Sequence, residues 1–297
     1  MKKDAPTLPT SCGSLPPEGA LRLRPGEAGS AALAGGEDGP TPVATRGALL
    51  AAFDALLQPE RFQDYGPNGL QVEGKAQVRH IVSGVTASLA LIEAAVAKQA
   101  DAIFVHHGLF WRGQDGRVCG WMKQRLGLLL AHDLNLFAYH LPLDAQRELG
   151  NNAQLGRQLG LQAQSYFGEQ QLGFLGQRSG AAADIGFASA ESLAEHIQTV
   201  LNRPVVHVGR ASSAIKNIAW CSGGAQGYFE AAIAAGADAF ITGEISEPQA
   251  HYAREMGVVF IACGHHASER YGAPAVAAQV AAQFGISHSF IDIDNPA

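Results

Sequence analysis

The chain has 297 residues, which allows two domains or one large one, and 47% of them are apolar, enough for a sizeable core. Its net charge of −6 and the lack of a Lys/Arg run argue against nucleic-acid binding, and no apolar run is long enough to span a membrane. The N-terminus shows no apolar segment of a secretory signal and the four scattered cysteines form no CxxC pair, so we expect a cytoplasmic protein without a disulfide framework.

The first 44 residues differ in composition from the rest of the chain. They hold half of the 14 prolines and few large apolar residues, so residues 1–44 are predicted to be a disordered extension, to which we assign no function. The fold is predicted to start at Thr45, a favourable N-cap residue for a helix that continues to Leu57. A polar loop is predicted from Gln63 to Val72, where Gly-Pro and Asn-Gly pairs indicate tight turns.

Strands and helices alternate over the remainder of the chain, a pattern that predicts parallel βαβ units. The predicted strands are 80–85, 102–105, 136–139, 173–177, 184–188, 205–208, 218–221, 239–242, 258–262 and 290–293. The predicted helices are 88–97, 120–132, 191–201, 227–235, 248–255 and about 274–284. Residues 100–107 loosely echo residues 237–244, which two related halves would explain; chance recurrence of a common βα pattern explains it nearly as well.

Polar side chains follow several of these strands at their carboxyl ends, where ligands gather in open α/β sheets. The apolar strand 102–105 runs into His106, His107 and Gly108; for both imidazoles to reach one site, the strand must end at about His106 and the chain must turn at the glycine. The other junctions hold His140 and Asp144, Ser222-Gly223-Gly224, Thr242-Gly243-Glu244, and Gly264-His265-His266 with Glu269. Five of the 11 histidines lie in three of these junctions, and this clustering of titratable groups predicts a metal centre.

Three histidines and two carboxylates are more ligands than one tetrahedral metal with an open position needs. They suit two metals that share a bridging carboxylate or water. A mixture of imidazole and carboxylate ligands favours zinc, manganese or iron over copper(I) or calcium.

The acidic residues and histidines of these junctions each have a structural alternative. Asp144 could cap a helix at about 145–149, and Glu269 could be a solvated carboxylate. One of His265 and His266, which follow Gly264 in a predicted loop, is expected to face away from the site. His140 could hold Asp144 by a hydrogen bond or donate a proton.

Other residues near the junctions also leave two interpretations open. Glu244 could be a third carboxylate ligand or a structural acceptor. Cys263 is better explained as a buried thiol than as a ligand, and Phe110 and Trp111 as packing residues rather than a base-stacking wall. The Ser222-Gly223-Gly224 turn is a weak indication of an anion cradle.

Taken together, six stretches resemble the Nif-three-like family of dinuclear-metal hexameric proteins, also called type 2 GTP cyclohydrolase I. They are Asp64–Gly74, Phe104–Trp111, Tyr139–Asp144, Ser222–Ala225, Thr242–Glu244 and Gly264–Glu269. The resemblance runs from about residue 45 to the C-terminus. It implies an α/β fold of two similar lobes, 45–160 and 161–297, with mixed, mostly parallel sheets flanked by helices and facing each other across a metal-binding cleft.

The resemblance also implies two divalent metal ions per subunit and a ring-shaped homohexamer. The ligands that it implies, residue by residue, are His106, His107, Asp144, His265 and Glu269. His140 and His266 remain as proposed proton shuttles. The longer members carry an inserted middle domain, for which the short segment 161–213 leaves no room.

For the function, the resemblance implies a metal-dependent hydrolase with type 2 GTP cyclohydrolase I activity, in which metal-activated water attacks the guanine ring and formate leaves. One alternative is a phosphoesterase or a hydrolase of damaged nucleotides. Another is a non-catalytic ring that stores metal or binds a partner. The expected partners are other copies of the chain and a small-molecule or nucleotide substrate, with no membrane or nucleic acid.

Overall fold

The computed structural model describes residues 42–180, 183–211 and 213–297. Most of the predicted disordered extension, residues 1–44, lies outside the described residues. Within the described part, no helix combines the length and the apolar character that crossing a bilayer requires.

Strands and helices alternate along the described chain. The strands are β1 (Ala44–Thr45), β2 (Gly69–Val72), β3 (Gln77–Val78), β4 (His80–Thr86), β5 (Ala102–His107), β6 (Asn135–Ala138), β7 (Leu161–Phe167), β8 (Gly173–Arg178), β9 (Val206–Val208), β10 (Ile218–Trp220), β11 (Ala239–Thr242), β12 (Val259–Ala262) and β13 (Ser287–Phe290). The helices are α1 (Arg46–Leu57), α2 (Leu89–Ala97), α3 (Gly120–Ala131), α4 (Leu141–Ala145), α5 (Asn151–Gln158), α6 (Ala190–Leu201), α7 (Phe229–Ala234), α8 (Glu247–Met256), α9 (His265–Glu269) and α10 (Gly272–Phe284).

Two mixed sheets and a separate antiparallel pair, β1 with β3, organise these elements. The first has the strand order β13-β4-β5-β6-β2, with β2 antiparallel to β6 and the other pairs parallel. The second has the order β7-β8-β10-β11-β12-β9, in which β10, β11 and β12 run parallel and the outer strands antiparallel. The predicted α/β fold with mixed sheets and flanking helices is confirmed. Parallel pairs dominate the first sheet as predicted, whereas three of the five strand pairs in the second sheet are antiparallel.

The alternation of side chains along each strand explains how helices cover both faces of the first sheet. On one face, Phe104 of β5 packs in a buried cluster with Phe53 of α1 and Val276 of α10. On the other face, Val105 packs in a cluster with Ile92 of α2 and Leu129 of α3. The second sheet is buried on both faces in the same way.

Side-chain caps start several helices where the sequence predicts them. Thr45 Oγ1 accepts a hydrogen bond from the Ala48 backbone at 3.2 Å, so the predicted N-cap of the first helix is confirmed. Ser88 accepts in the same way from Leu91. Ser189, the N-cap residue of α6, and Ser192 in its first turn form a reciprocal capping box.

Several predicted elements differ from the structure. The segment predicted as a loop, 63–72, contains strand β2 at its end, which pairs with β6 at an edge of the sheet. The prediction omits this strand because it is short and follows several turn residues. The strand predicted at 184–188 is reduced to a single bridge between Phe187 and Ile215. The closing strand is Ser287–Phe290 rather than 290–293.

The sequence prediction also omits strand β7, whose polar, largely exposed residues provide no apolar run. It pairs antiparallel with β8 and forms an edge of the second sheet.

The end of the chain returns to the first sheet. Strand β13 pairs in parallel with β4, and helix α10 packs in the buried cluster that contains Phe53 and Phe104. The first sheet is therefore built from residues of both predicted segments, 45–160 and 161–297. The division into two lobes at residue 160 stays a prediction.

Candidate metal centre

Strand β5 carries the first two predicted ligands at its carboxyl end. The strand includes His107 instead of ending at about His106, so the expected end is one residue too early. His106 is fully buried, and its Nδ1–H donates to the carbonyl of Tyr139 at 3.1 Å, which leaves Nε2 as the ligand atom. His107 Nδ1 hydrogen-bonds to the hydroxyl of Thr86 at 3.1 Å. The two imidazole rings lie 4.4 Å apart between centroids.

Asp144 comes from the short helix α4, which follows strand β6. It lies inside this helix and does not cap a helix at 145–149, so the structural alternative for Asp144 is wrong. Its Oδ1 accepts hydrogen bonds from Asn151 Nδ2 at 2.9 Å and Ser222 Oγ at 3.0 Å. These bonds hold the carboxylate 3.5 Å from His106 Nε2. Ser222 thus supports Asp144 through its side chain.

His265 and Glu269 belong to helix α9, where the sequence predicts a loop. Their i, i+4 spacing places both side chains on one face of the helix. Glu269 is buried, not solvated; its Oε1 lies 3.3 Å from His106 Nε2, and its Oε2 lies 3.2 Å from His265 Nε2 and 3.4 Å from His107 Nε2.

The same helix decides between the two adjacent histidines. His265 Nδ1–H donates to Glu244 Oε1 at 2.6 Å, so Glu244 acts as an acceptor that orients this ring. His266 points elsewhere, and its Nε2 hydrogen-bonds to Asp292 Oδ1 at 2.8 Å. His265 therefore faces the other predicted ligands and His266 does not.

The five predicted ligands come together in clusters that could hold metal ions. Nitrogen and oxygen atoms within 4.8 Å of one another form three groups, namely His106 with Asp144 and Glu269, His107 with His265 and Glu269, and His106 with His107 and His140. Glu269 belongs to the first two groups. The third adds His140, which the sequence predicts as a proton shuttle.

Two atoms at the middle of these clusters lack hydrogen-bond partners. Among the described residues, His106 Nε2 and Glu269 Oε2 are buried and make no hydrogen bond. A buried polar atom without a partner costs about 1–3 kcal/mol, and a coordinated cation would supply the missing interaction. Imidazole nitrogens and carboxylate oxygens are suitable ligands for zinc, manganese or iron. The residues present therefore fit a metal site.

The pKa values of the cluster reflect burial and opposing charges. Burial alone lowers the pKa of His106, but the carboxylates of Asp144 and Glu269 outweigh it and raise the pKa to about 9. Burial lowers the pKa of His107 to about 3, despite the carboxylate of Glu269. Burial raises the pKa of Asp144, whereas His106 and His107 hold the pKa of Glu269 well below its usual range against the same effect.

His140 pairs with a carboxylate that the sequence does not single out. Its Nδ1–H donates to Asp64 Oδ1 at 2.7 Å, so it does not hold Asp144. Asp64 Oδ2 accepts from the Leu141 backbone and from Asn68 Nδ2, both at 2.9 Å. Burial favours the neutral acid, but the hydrogen bond and charge of His140 and the other donors lower the pKa of Asp64 to about 2. Asp64 starts the Asp64–Gly74 stretch, whose residues indicate turns and which belongs to the family resemblance, but neither feature assigns Asp64 a role.

Neighbouring residues resolve two remaining alternatives. Trp111 packs edge-on against His140, with ring centroids 5.0 Å apart at 88°, in accord with the packing interpretation. Cys263 is fully buried, and burial raises the pKa of its thiol to about 12, as expected of a structural thiol.

A cleft of about 390 Å³ opens beside the clusters. Asp144, His265 and Glu269 lie on its wall, so a small molecule in the cleft would reach these three candidate ligands. A mixed α/β fold that gathers imidazoles and carboxylates at strand ends beside a cleft is typical of a metal-binding protein.

A family model matches residues 44–296, and its description is Duf34/NIF3 (NGG1p interacting factor 3). The chain belongs to this family, as its resemblance to Nif-three-like proteins predicts.

Several curated relatives are named GTP cyclohydrolase 1 type 2 homolog. The protein from Neisseria meningitidis serogroup A is 49% identical over 249 residues, which are 84% of this chain and 98% of the relative. The protein from Pseudomonas aeruginosa is 49% identical over 252 residues, covering 84% and 97% of the two chains.

Two solved structures show the same fold. The protein ybgI, described as of unknown function, superposes with a TM-score of 0.81 at 42% identity and covers 86% of this chain and 100% of its own. A protein from Thermus thermophilus has a TM-score of 0.76 at 31% identity, with the same coverage.

Proposed function

We propose that the chain holds a pair of divalent metal ions and acts as a metal-dependent hydrolase. The observation that carries this proposal is the position of Glu269, which is shared by the cluster of His106 and Asp144 and the cluster of His107 and His265. Its Oε1 faces the first cluster and its Oε2 the second, as expected of a carboxylate between two cations. Zinc, manganese and iron are the ions that this ligand set favours.

When bound, such a pair of ions lowers the pKa of a water molecule toward neutrality and supplies the nucleophile for hydrolysis. We propose a guanine nucleotide such as GTP as the substrate, in line with the names of the relatives. In this reaction water adds at C8, the five-membered ring opens, and hydrolysis of the resulting formamide releases formate.

His140 is proposed to hold and move protons at its Nε2 atom. The hydrogen bond of its Nδ1–H to Asp64 leaves Nε2 as the ring nitrogen available to a substrate in the cleft. His266 is bonded to Asp292 and has no comparable position, so its predicted role as a proton shuttle receives no support from its contacts.

The metal pair is tested by elemental analysis of the protein as isolated, beside the variants Glu269→Gln and Glu247→Gln. We expect a pair of ions per chain in the wild type and at most a single ion in Glu269→Gln, because the amide lacks the charge and the second oxygen ligand. Glu247, exposed on helix α8, provides the matched control, which keeps both ions. Full metal content in Glu269→Gln would contradict the shared ligand.

The reaction is tested with metal-loaded protein and GTP, by measuring formate. Formate release that requires both the added ions and Glu269 supports the proposal. No formate, together with activity on a panel of phosphoesters and damaged nucleotides, would replace it by the phosphoesterase or damaged-nucleotide alternative. Metal binding without turnover of any of these compounds would favour a non-catalytic metal-binding or scaffold ring.

We also propose that the protein assembles as a homohexamer, as the family resemblance implies. The side chains of Val118, Trp121 and Leu130, on and beside helix α3, expose large apolar groups that contact with another copy could bury. Light scattering coupled to gel filtration tests the assembly: a hexamer mass supports it, and a monomer at micromolar concentration rejects it.

A further inference from the structure

Part of the cleft wall is formed by residues to which the sequence analysis assigns no role. Tyr65, Arg112 and Tyr228 line the same cleft as Asp144 and His265. None of the three belongs to the ligand clusters. They are therefore available to contact a molecule that reacts at the metal centre.

Tyr65 combines an exposed ring with a firmly held backbone. Its residue is 61% exposed, and its ring centroid lies 6.1 Å from that of His140. Its N–H donates to Asp64 Oδ1 and its carbonyl accepts from the backbone of Arg112, both at 2.6 Å. At Gly66, the next residue, a Cβ would collide with the Phe110 carbonyl, so the two loops approach as closely as the backbone permits. An exposed aromatic ring on an ordered loop is a preformed binding surface.

Tyr228 lies at the same cleft on a separate element of the fold. Its ring packs directly over Gly168, where a Cβ would collide with it, and its hydroxyl donates to the Glu169 carbonyl at 3.1 Å. The cleft is thus bordered by two positioned aromatic rings, which suits a planar heterocycle because stacking tolerates any flat ring.

Arg112 supplies positive charge to this wall. Its Nη2 donates to the Asp64 carbonyl at 2.6 Å, and most of the five donors of the guanidinium are available to a ligand. No other Lys or Arg among the described residues lines the cleft, whereas Glu169 adds a carboxylate to its lining. One guanidinium matches one anionic group in a bidentate contact. Each further phosphate would add negative charge without a second cationic side chain on this wall.

We propose that Tyr65, Tyr228 and Arg112 form a recognition subsite for a planar nitrogen heterocycle that carries one anionic group, as a nucleoside monophosphate does. The rings contact the heterocycle, and Arg112 binds the anion. This inference rests on the proposed hydrolase function, since it takes the substrate to react at the ion pair. Among guanine nucleotides it favours GMP, so it keeps the proposed reaction on the guanine ring but replaces GTP by the monophosphate as the preferred substrate.

Calorimetric titration of the metal-loaded protein with guanosine, GMP and GTP tests the subsite through binding. We expect GMP to bind most tightly. The variant Arg112→Gln should weaken GMP binding about tenfold, as expected for the loss of a charge-assisted bidentate contact, and should leave guanosine binding within about twofold. Arg117→Gln is the matched control: Arg117 is exposed, pairs with Asp115 and does not line the cleft, so GMP binding should stay at the wild-type value.

The contribution of the aromatic ring is tested separately. Tyr65→Leu should weaken guanosine and GMP binding about equally, by about tenfold, and Tyr65→Phe should restore both, because stacking needs the ring and not the hydroxyl. Unchanged guanosine binding in Arg112→Gln excludes collapse of the loop as the cause of its effect.

The titrations overturn the inference if GTP or guanosine binds at least as tightly as GMP, if Arg112→Gln binds GMP like the wild type, or if none of the three compounds binds. Formate release from the same samples judges the proposed reaction independently. GMP binding that depends on Arg112 without formate leaves the subsite standing and rejects the reaction. Formate release that is the same in Arg112→Gln as in the wild type supports the reaction and rejects the subsite.

Discussion

Two carboxylate–imidazole pairs border the candidate metal centre, and they differ mainly in exposure. Asp64 lies 2.7 Å from His140 Nδ1 and has a side chain that is only 3% exposed. Glu244 lies 2.6 Å from His265 Nδ1 and has a side chain that is 45% exposed. The contact distances are nearly the same, so any difference in what the two pairs contribute to stability must come from their surroundings.

The surroundings of Asp64 make its charge part of the fold. Both of its oxygens accept hydrogen bonds, from His140, Asn68 and the backbones of Tyr65 and Leu141. Removing a buried partner leaves these donors unpaired, whereas water can replace an exposed one. We therefore expect the Asp64–His140 pair to stabilise the fold and the Glu244–His265 pair to affect mainly the metal affinity of His265.

The largest effect is expected for Asp64→Asn. The amide has the shape of the carboxylate but replaces one of its two acceptor oxygens by an NH2 group that faces other donors, and it also removes the charge. We expect the free energy of unfolding to fall by about 3 kcal/mol, measured by urea denaturation. Asp115→Asn, at an exposed position on a neighbouring loop, is the control and should change stability by less than about 0.5 kcal/mol. A similar, small change in both variants would show that Asp64 is no more important than a surface charge.

The pH dependence of stability sharpens the same contrast. The pKa of Asp64 is about 2 in the folded protein, against 3.8 for an unperturbed aspartate, so the folded state favours the charged form. The resulting stabilisation is complete above about pH 4 and is lost as the pH falls through about 2. Urea denaturation of the metal-free protein between about pH 5 and 2.5 should therefore give a smaller acid loss in Asp64→Asn than in the wild type. Identical slopes would contradict the assignment.

These two pairs also show how far the sequence predicts the site. His106 and His107 were predictable because an apolar run ends in them, and such a run is typical of a buried parallel strand. The position of Glu269 at a strand junction and the family resemblance predict it as a ligand. They do not predict that it shares a helix face with His265, because the five residues of helix α9 have no apolar periodicity. The resemblance alone implies His265 and not His266 as the ligand, and nothing in the sequence predicts the helix that orients the two side chains differently.

Asp64 was missed for a different reason. It stands 76 residues from His140 in the chain, in a stretch whose glycine, proline and asparagine indicate turns and for which the family resemblance implies no ligand. The contact arises because β2, next in the chain, pairs antiparallel with β6, whose end carries His140. The apolar periodicity of a single segment does not predict which distant strand it pairs with, so the sequence gives no indication of this contact. The exposed Tyr65 and Arg112 escaped prediction likewise.

The smallest effect on stability is expected for Glu244→Gln, where the imidazole keeps a neutral acceptor and loses only the negative charge of an exposed partner. The free energy of unfolding of the metal-free protein should fall by less than about 1 kcal/mol. Metal affinity should fall more noticeably, by about tenfold, because the carboxylate orients His265 and makes its Nε2 a stronger ligand.

Competition with a chelating dye measures this affinity, and Glu247→Gln, which also removes an exposed carboxylate that pairs with a histidine, is the matched control. Two outcomes would contradict the contrast between the pairs. Unchanged metal affinity would mean that exposure cancels the orienting effect of Glu244 altogether. A stability loss as large as that of Asp64→Asn would mean that exposure does not separate the two pairs.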